Sequence, residues 1–290
     1  MATNIVLPVE LERYIFEISI AIFPQTATTL VRLSKYVHDW LVPLIYEVIV
    51  SSVKDRREPG TEAIERYGPH IRHLLVGWDG NEDVLTDFLT WSPNIINLAV
   101  WCNLDDDGEW KSLAQRLPIV RLSIHPASVY NGNHTDNQIK EELTSFFSSF
   151  PQLTHLDIAS EIACRSMTFF DAMPKLTYLS LYHDGYEEGY DEELPVNQRY
   201  PDLREDYPSI KFLIFLKESS LLTCYTRDTE DRSRWVDDPR AMGWVVPSYV
   251  DDWENGARGR PDVWKFATRL PEECDARERK DGSGNREEDG

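Results

Sequence analysis

The sequence predicts an α/β protein in which a small N-terminal helical module precedes an irregular solenoid of repeats with a C-terminal cap. Three observations lead to this fold class. Apolar residues recur at helical spacing in the first 45 positions, a short proline-led pattern then recurs every 23 to 34 residues, and aromatic residues gather around position 264. We therefore expect a helical module at 1–45, the solenoid with its cap at 46–271 and a disordered tail at 272–290.

Two apolar stripes predict the helices of the N-terminal module. Leu7, Leu11, Ile15 and Ile18 follow one another at four- and three-residue steps, and Pro8 suits the first turn of a helix. The second stripe has the same spacing and consists of Leu30, Leu33, Val37, Trp40 and Leu41. Short amphipathic helices of this kind form either a separate small core or a cap that closes the end of the solenoid.

The repeat is a proline followed by apolar residues at relative positions 1, 4 and 6, as in the segment 151–158. The first apolar positions of the copies are residues 71, 95, 119, 153, 176 and 210. This spacing is typical of a leucine-rich-repeat-like solenoid with two enlarged units. Because side chains two positions apart on a strand share a side, each copy should bury positions 4 and 6 against its neighbours. The predicted strands lie near 71–76, 95–100, 119–124, 153–158, 176–181 and 210–215.

The charge of the chain restricts the classes of partner. A net charge of -20 and a pI near 4.7 argue against nucleic acid and anionic membranes, which need a cationic surface. No run approaches the roughly 20 apolar residues of a membrane span, and the acidic N-terminus is not a secretory signal. The four cysteines form no C-x-x-C pair. We expect a monomer without a cofactor that is intracellular, in the cytoplasm, the nucleus or both.

No catalytic motif stands out. The sequence contains no G-x-S-x-G, no H-E-x-x-H, no phosphate-binding glycine loop and no dinucleotide fingerprint. A hydrolase alternative would combine Ser123 or Ser180 with His155 and Asp157, although polar positions on a strand are the simpler interpretation. A metal site is not expected either, because the first and third repeats lie about 10 Å apart. The histidines concerned are His73, His125 and His155.

The open side of the predicted sheet is the candidate recognition surface. Positions 3, 5 and 7 of each repeat lie opposite the buried positions 4 and 6, and they carry the aromatic, histidine and arginine side chains that anchor protein interfaces. As the alternative, the C-terminal segment partly covers this side. The predicted client-binding residues are His73, Asn97, Trp101, Arg121, His125, His155, Asp157, Tyr178 and Tyr182.

Both ends of the chain resemble a known family. The string Leu7-Pro8-x-Glu10-Leu11-x-x-x-Ile15-Phe16, followed by Leu33-Ser34-Lys35-x-Val37-His38-x-Trp40, resembles an F-box. That helical module docks a receptor onto the linker subunit of SCF-type cullin-RING ubiquitin ligases. More narrowly, the segments 40–48 and 252–264 resemble F-box-like leucine-rich-repeat proteins expanded in mushroom-forming fungi.

The resemblance implies a receptor that is not an enzyme. It would dock on the linker subunit and present an unidentified client protein to the ligase. The alternative is an F-box-derived interaction scaffold with no ligase role. The residues that the resemblance assigns to the linker contact, or to the helical core behind it, are Leu7, Pro8, Leu11, Ile15, Phe16 and Trp40.

Overall fold

The computed structural model of the protein describes residues 7–51, 60–78, 80, 82–102, 104, 108–130, 135–159, 169–182, 207–218, 226–228 and 240–269. Its strands are β1 Val48–Ser51, β2 His73–Val76, β3 Asn97–Val100, β4 Arg121–Ile124, β5 His155–Ile158, β6 Tyr178–Tyr182, β7 Phe212–Glu218, β8 Thr226–Asp228 and β9 Ala241–Val246. The α-helices are α1 Val9–Ile22, α2 Ala27–Leu30, α3 Lys35–Tyr46, α4 Thr61–Tyr67, α5 Glu82–Trp91, α6 Glu109–Ala114, α7 Asp136–Ser148, α8 Tyr249–Ala257 and α9 at 263–269. Within these ranges no helix is both long enough and apolar enough to cross a membrane.

All nine strands belong to one sheet in the order β1-β2-β3-β4-β5-β6-β7-β9-β8. Neighbouring strands are parallel, except that β8 runs antiparallel to β9 at one edge. The repeat sets the register, because equivalent positions of successive copies are paired, as in Leu74 with Leu98 and Leu98 with Leu122. Each predicted strand position contains a strand, and each strand begins two residues after the predicted start.

The first face of the sheet carries the main apolar core. Positions 4 and 6 of the repeats point to this side and are buried against helices α4 to α7. Phe88 of α5, Trp110 of α6 and Phe147 of α7 are fully buried there. The connections between strands therefore form one helical layer on this face.

The second face of the sheet is covered as well. Val50, Leu75, Ala99 and Ile214 lie on this side and form a second apolar cluster with residues of α8 and α9. A parallel sheet with helices on both faces buries nearly every residue of its strands. The burial of all four residues of β3 fits this description.

The predicted fold class is therefore wrong. We expected an N-terminal helical module followed by an irregular leucine-rich-repeat-like solenoid with a C-terminal cap, and the structure is an α/β fold around a single sheet enclosed by helices on both faces. The C-terminal residues lie across the second face instead of closing the end of the array. The domain boundaries at 45 and 271 stay predictions, and the predicted tail lies outside the described residues.

Helix α3 adjoins the β1 edge of the sheet, and α1 packs on α3. Ser34 caps α3 by accepting a hydrogen bond from Val37 N at 3.3 Å, a favourable way to start a helix. At the other end of α3 the ring of Tyr46 stacks on Tyr67 of α4 with 4.1 Å between centroids. The N-terminal helices therefore continue into the helical layer of the first face.

Candidate functional site

The predicted client-binding residues, together with Ser123 and Ser180 of the hydrolase alternative, form three rows across the second face. The first row runs along paired positions of neighbouring strands and contains His73, Asn97, Arg121, His155 and Tyr178. The second row passes through Ser123, Asp157 and Ser180. The third consists of residues at the carboxyl ends of the strands and includes Trp101, His125 and Tyr182. The register of the repeats brings these residues together as the sequence predicts.

Helices α8 and α9, which we call the C-terminal cover, lie over these rows. The indole of Trp264 meets the rings of His155 and Tyr178 edge to face, with centroids 5.4 and 5.5 Å away. Tyr249 stacks on Tyr182 at 4.4 Å. Aromatic pairs at these separations stabilise a contact beyond the area that they bury.

Four of the nine predicted client-binding residues are buried in the structure. Asn97, Trp101, Asp157 and Tyr182 are only 2%, 1%, 5% and 5% exposed. These four side chains therefore do not lie on an open face of the sheet, and client binding by them stays a prediction. The remaining predicted client-binding residues, which are half-buried, are His73, Arg121, His125, His155 and Tyr178.

Two buried aspartates hold the cover together and attach it to the sheet. Asp252 Oδ1 accepts a hydrogen bond from Val263 N at 2.9 Å, and Asp262 Oδ1 accepts one from Lys265 N at 3.0 Å in the first turn of α9. Asp262 Oδ2 lies 3.4 Å from Arg121 Nη1 on β4. A Cβ at position 256 would collide with the Asp262 carboxylate. A side chain at position 256 would therefore require the Asp262 carboxylate to shift.

Burial changes the pKa values of the ionisable groups under the cover. Burial, with a smaller effect from Arg121, lowers the pKa of His155 to about 3. Burial raises the pKa of Asp157 to about 7; Arg121 opposes this increase, whereas Asp252 and Asp262 add to it. At neutral pH His155 is therefore uncharged, and Asp157 is close to its midpoint.

The hydrogen bonds of His155 and Ser123 differ from those that the hydrolase alternative requires. His155 Nδ1 lies 2.8 Å from Thr154 Oγ1. Ser123 Oγ accepts a hydrogen bond from Trp101 Nε1 at 2.8 Å and lies 3.5 Å from the Tyr182 hydroxyl. A triad would require His155 to bond both a serine and Asp157. Across the described ranges, no group of three His, Cys, Asp or Glu residues is arranged to hold a metal ion.

The second candidate surface is the exterior of α1. No residue of this helix is buried. Leu11, Tyr14, Ile15, Ile18 and Ile22 lie on one side of the helix, since they are separated by three or four residues. All five are exposed, from 39% for Ile18 to 61% for Ile22. This apolar row, which we call the α1 stripe, faces solvent along three turns of the helix.

The structure separates the predicted linker-binding residues into two groups. Leu7, Pro8, Leu11 and Ile15 are exposed, whereas Phe16 and Trp40 are half-buried. Trp40 packs edge to face on Tyr36 at 4.9 Å within α3. The Tyr36 hydroxyl donates a hydrogen bond to Glu12 Oε1 of α1 at 2.9 Å and so ties the two helices together.

Sequence reasoning missed parts of both surfaces. Tyr14 and Ile22 belong to the α1 stripe, and the continued three- and four-residue steps from Leu11 are the signal that could have identified them. The attachment of Asp262 to Arg121 had no such signal, because the two residues are 141 positions apart.

Neither a protein-family model nor a curated protein sequence matches this chain.

Proposed function

We propose that this protein is a substrate-recognition receptor of an SCF-type cullin-RING ubiquitin ligase and that α1 docks on the linker subunit. The observation that carries the proposal is the α1 stripe, in which Leu11 and Ile15 are 50% and 49% exposed. A contiguous apolar row on a protein surface marks an interaction site more often than an accident of composition. The proposal places the protein inside the cell, in the cytoplasm or the nucleus, where such ligases act.

The position of the stripe agrees with the F-box resemblance. Leu7, Pro8, Leu11 and Ile15 belong to the F-box-like string and are exposed on the same helix or directly before it. We assign these four residues to the linker contact. A partner groove that accepts side chains at three- and four-residue steps would bury them together.

Phe16 and Trp40 have a different role in this proposal. Both are half-buried, and Trp40 packs on the tyrosine that bonds α1. We assign them to the helical core that sets the angle of α1. Their loss would weaken docking indirectly, because the helix would no longer be held in one orientation.

Client recognition requires an exposed anchor. Trp78 follows β2 at the carboxyl edge of the sheet and is 52% exposed. Its ring lies 6.4 Å from Trp101 and meets His125 edge to face at 5.3 Å. Exposed tryptophans supported by other rings are frequent anchors of protein interfaces, and ligands of open parallel sheets gather at this edge. We therefore place the client contact around Trp78.

Linker docking is tested with two substitutions on the stripe. The double variant Leu11→Asp and Ile15→Asp should abolish co-purification with the linker subunit, because docking would bury two unpaired carboxylates. Its fold should be intact, since neither side chain is buried. Circular dichroism and the unfolding midpoint measure the fold, and co-purification with the linker subunit measures docking.

A matched control lies on the same helix. Val9 is 52% exposed and, two residues before Leu11, lies about 200° around the helix from it. Val9→Asp should therefore retain the linker. Linker binding by a folded double variant would remove the stripe from the interface. No binding by the wild type would favour an F-box-derived scaffold with no ligase role.

A further inference from the structure

A cavity of about 580 Å³ lies between α1, α3 and the C-terminal end of α8. We call it the α1 cavity. Its volume is within the range of small-molecule sites, which is about 300–1,000 Å³. Such sites combine a mostly apolar wall with a few polar groups that orient the ligand. The apolar lining of the α1 cavity consists of Ile20, Ala21, Pro24, Leu44, Val48 and Ala257.

The α1 cavity lies where three helices end. Helix α1 ends at Ile22, α3 at Tyr46 and α8 at Ala257. Residues from the last turn of each helix, or directly after it, line the cavity. The C-terminal end of a helix carries a partial negative charge, because its last carbonyl groups have no partner within the helix. Three such ends together favour a cation in the cavity.

Two of the four charged side chains in the lining are already in ion pairs. Arg13 Nε donates to Glu17 Oε1 over 2.6 Å within α1. Arg258 Nε donates to Glu254 Oε1 over 2.8 Å at the end of α8. Each of these charges has its counter-charge within the protein, so the ligand has to match the remaining two.

The two remaining charges lie at different helix ends. Arg260 Nη2 donates a hydrogen bond to Ala21 O at 3.3 Å, so its positive charge offsets the end of α1. Glu47 directly follows α3, where its carboxylate adds to the negative charge of the helix end. Arg72 and Glu47 both line a neighbouring cavity. Within the described residues, however, no ion pair or hydrogen bond engages the half-buried Glu47 carboxylate. The end of α3 therefore lacks a cation.

We propose that the α1 cavity binds a small molecule that carries a protonated primary amine on an apolar body. The ammonium group donates hydrogen bonds to the Glu47 carboxylate at the end of α3, and bonds between charged groups are stronger than neutral ones. The apolar body packs against Ile20, Leu44 and Val48. A free amine and an amino acid share this chemistry, and the amino acid would also bring its carboxylate to Arg260.

This inference does not rest on linker docking. Ile20 comes nine residues after Leu11 and therefore lies about 180° around α1 from it. The α1 cavity and the α1 stripe are on opposite sides of the helix. Failure of either proposal leaves the other intact.

Isothermal titration calorimetry of the full chain with three related probes tests the proposal at neutral pH and constant ionic strength. Phenethylamine is a cation, phenylalanine is a zwitterion and hydrocinnamate is an anion, and all three carry a phenyl ring on a two-carbon chain. Phenethylamine should bind at one site per chain. Hydrocinnamate should not bind, because it lacks the ammonium group and would bring a second carboxylate to Glu47.

A charge-neutral variant identifies the group that holds the amine. Glu47→Gln should weaken the binding of phenethylamine about tenfold or more, the loss typical of a hydrogen bond between charged groups. Circular dichroism and the unfolding midpoint check its fold. The matched control is Glu65→Gln, which removes the same charge from the last turn of α4 outside the cavity. It should leave the affinity unchanged, which excludes a general attraction of cations to this acidic chain.

The outcomes distinguish the two sources of the amine. Phenylalanine that binds no more tightly than phenethylamine identifies a free amine. Tighter binding of phenylalanine identifies an amino acid, and Arg260→Gln should then remove this advantage. No saturable binding of either amine, or hydrocinnamate that binds as tightly as phenethylamine, would overturn the proposal. An equal affinity of phenethylamine for Glu47→Gln and the wild type would overturn it too. If Glu47→Gln does not fold, the comparison of the three probes on the wild type still decides.

Discussion

Trp264→Ala tests whether the C-terminal cover is an integral layer of the fold. Trp264 is 4% exposed and meets His155 and Tyr178 at right angles. The substitution removes both aromatic contacts and leaves a space directly above the sheet. It changes no hydrogen bond given above for the cover, so its effect on stability comes from packing.

The expected loss of stability follows from the buried area. A buried tryptophan removes about 200 Å² from water, which corresponds to about 5 kcal/mol at 25 cal/mol per Å². This is an upper value, because the unfolded chain already buries part of the side chain. Measured substitutions of buried tryptophan by alanine cost about 3–5 kcal/mol. We expect a decrease of about 3–4 kcal/mol in the free energy of unfolding.

Urea unfolding followed by far-UV circular dichroism measures this decrease. Trp78→Ala is the control, because Trp78 is 52% exposed and its loss should cost about 1 kcal/mol or less. A single transition with an unchanged slope would show that cover and sheet unfold together. A loss below about 1 kcal/mol for Trp264→Ala, or a separate early transition, would refute the reasoning that the cover belongs to the cooperative core.

Two further predictions concern the contacts beneath the cover. Burial raises the pKa of folded Asp157 to about 7, so the folded carboxyl retains a proton that the unfolded chain releases near pH 4. The stability due to this group is therefore complete below pH 4 and is lost as the pH rises to 7. Asp157→Asn should remove this loss of stability. Urea unfolding of the wild type and the variant at pH 5 and pH 8 measures it, and an equal pH dependence of the free energy of unfolding in both proteins would contradict the assignment. Gly256→Ala should cost about 1–3 kcal/mol, since its Cβ collides with the Asp262 carboxylate, and a neutral effect in the same assay would show that the carboxylate can move.

The sequence contains enough information to predict the strands and their register. The proline-led repeat places Leu74, Leu98 and Leu122 at the same position of successive copies, and the structure pairs them. Helix α4 ends at Tyr67, where Gly68 and Pro69 interrupt its pattern. Local spacing therefore determines these features.

The cover could not be predicted in the same way, because its contacts connect distant parts of the chain. A signal was nevertheless present on the sheet. Leu75, Ala99 and Ile214 are apolar although they lie on the side expected to be open, and all three are fully buried. Apolar residues on both sides of a strand indicate a sheet covered on both faces. The polar residues Asn97 and Asp157 obscured this signal.

The apolar stripe of α1 was easier to predict than the contacts beneath the cover. A helical stripe is visible in a short stretch of sequence, and Leu11 and Ile15 lie where their spacing places them. The sequence did not show that these two residues are exposed, because it does not show which side of α1 faces α3. The hydrogen bond from Tyr36 to Glu12 supplies that information.

Hydrogen exchange of the full chain, alone and mixed with the linker subunit, tests the central claim most directly. No residue of α1 is buried in the free protein, so the amides of α1 should exchange rapidly and become slower when the stripe is docked. Amides of the C-terminal cover should exchange at the same rate in both samples. Slower exchange confined to residues 9–22 and their immediate neighbours is the predicted result. Unchanged exchange of α1 at saturating linker subunit would contradict the account.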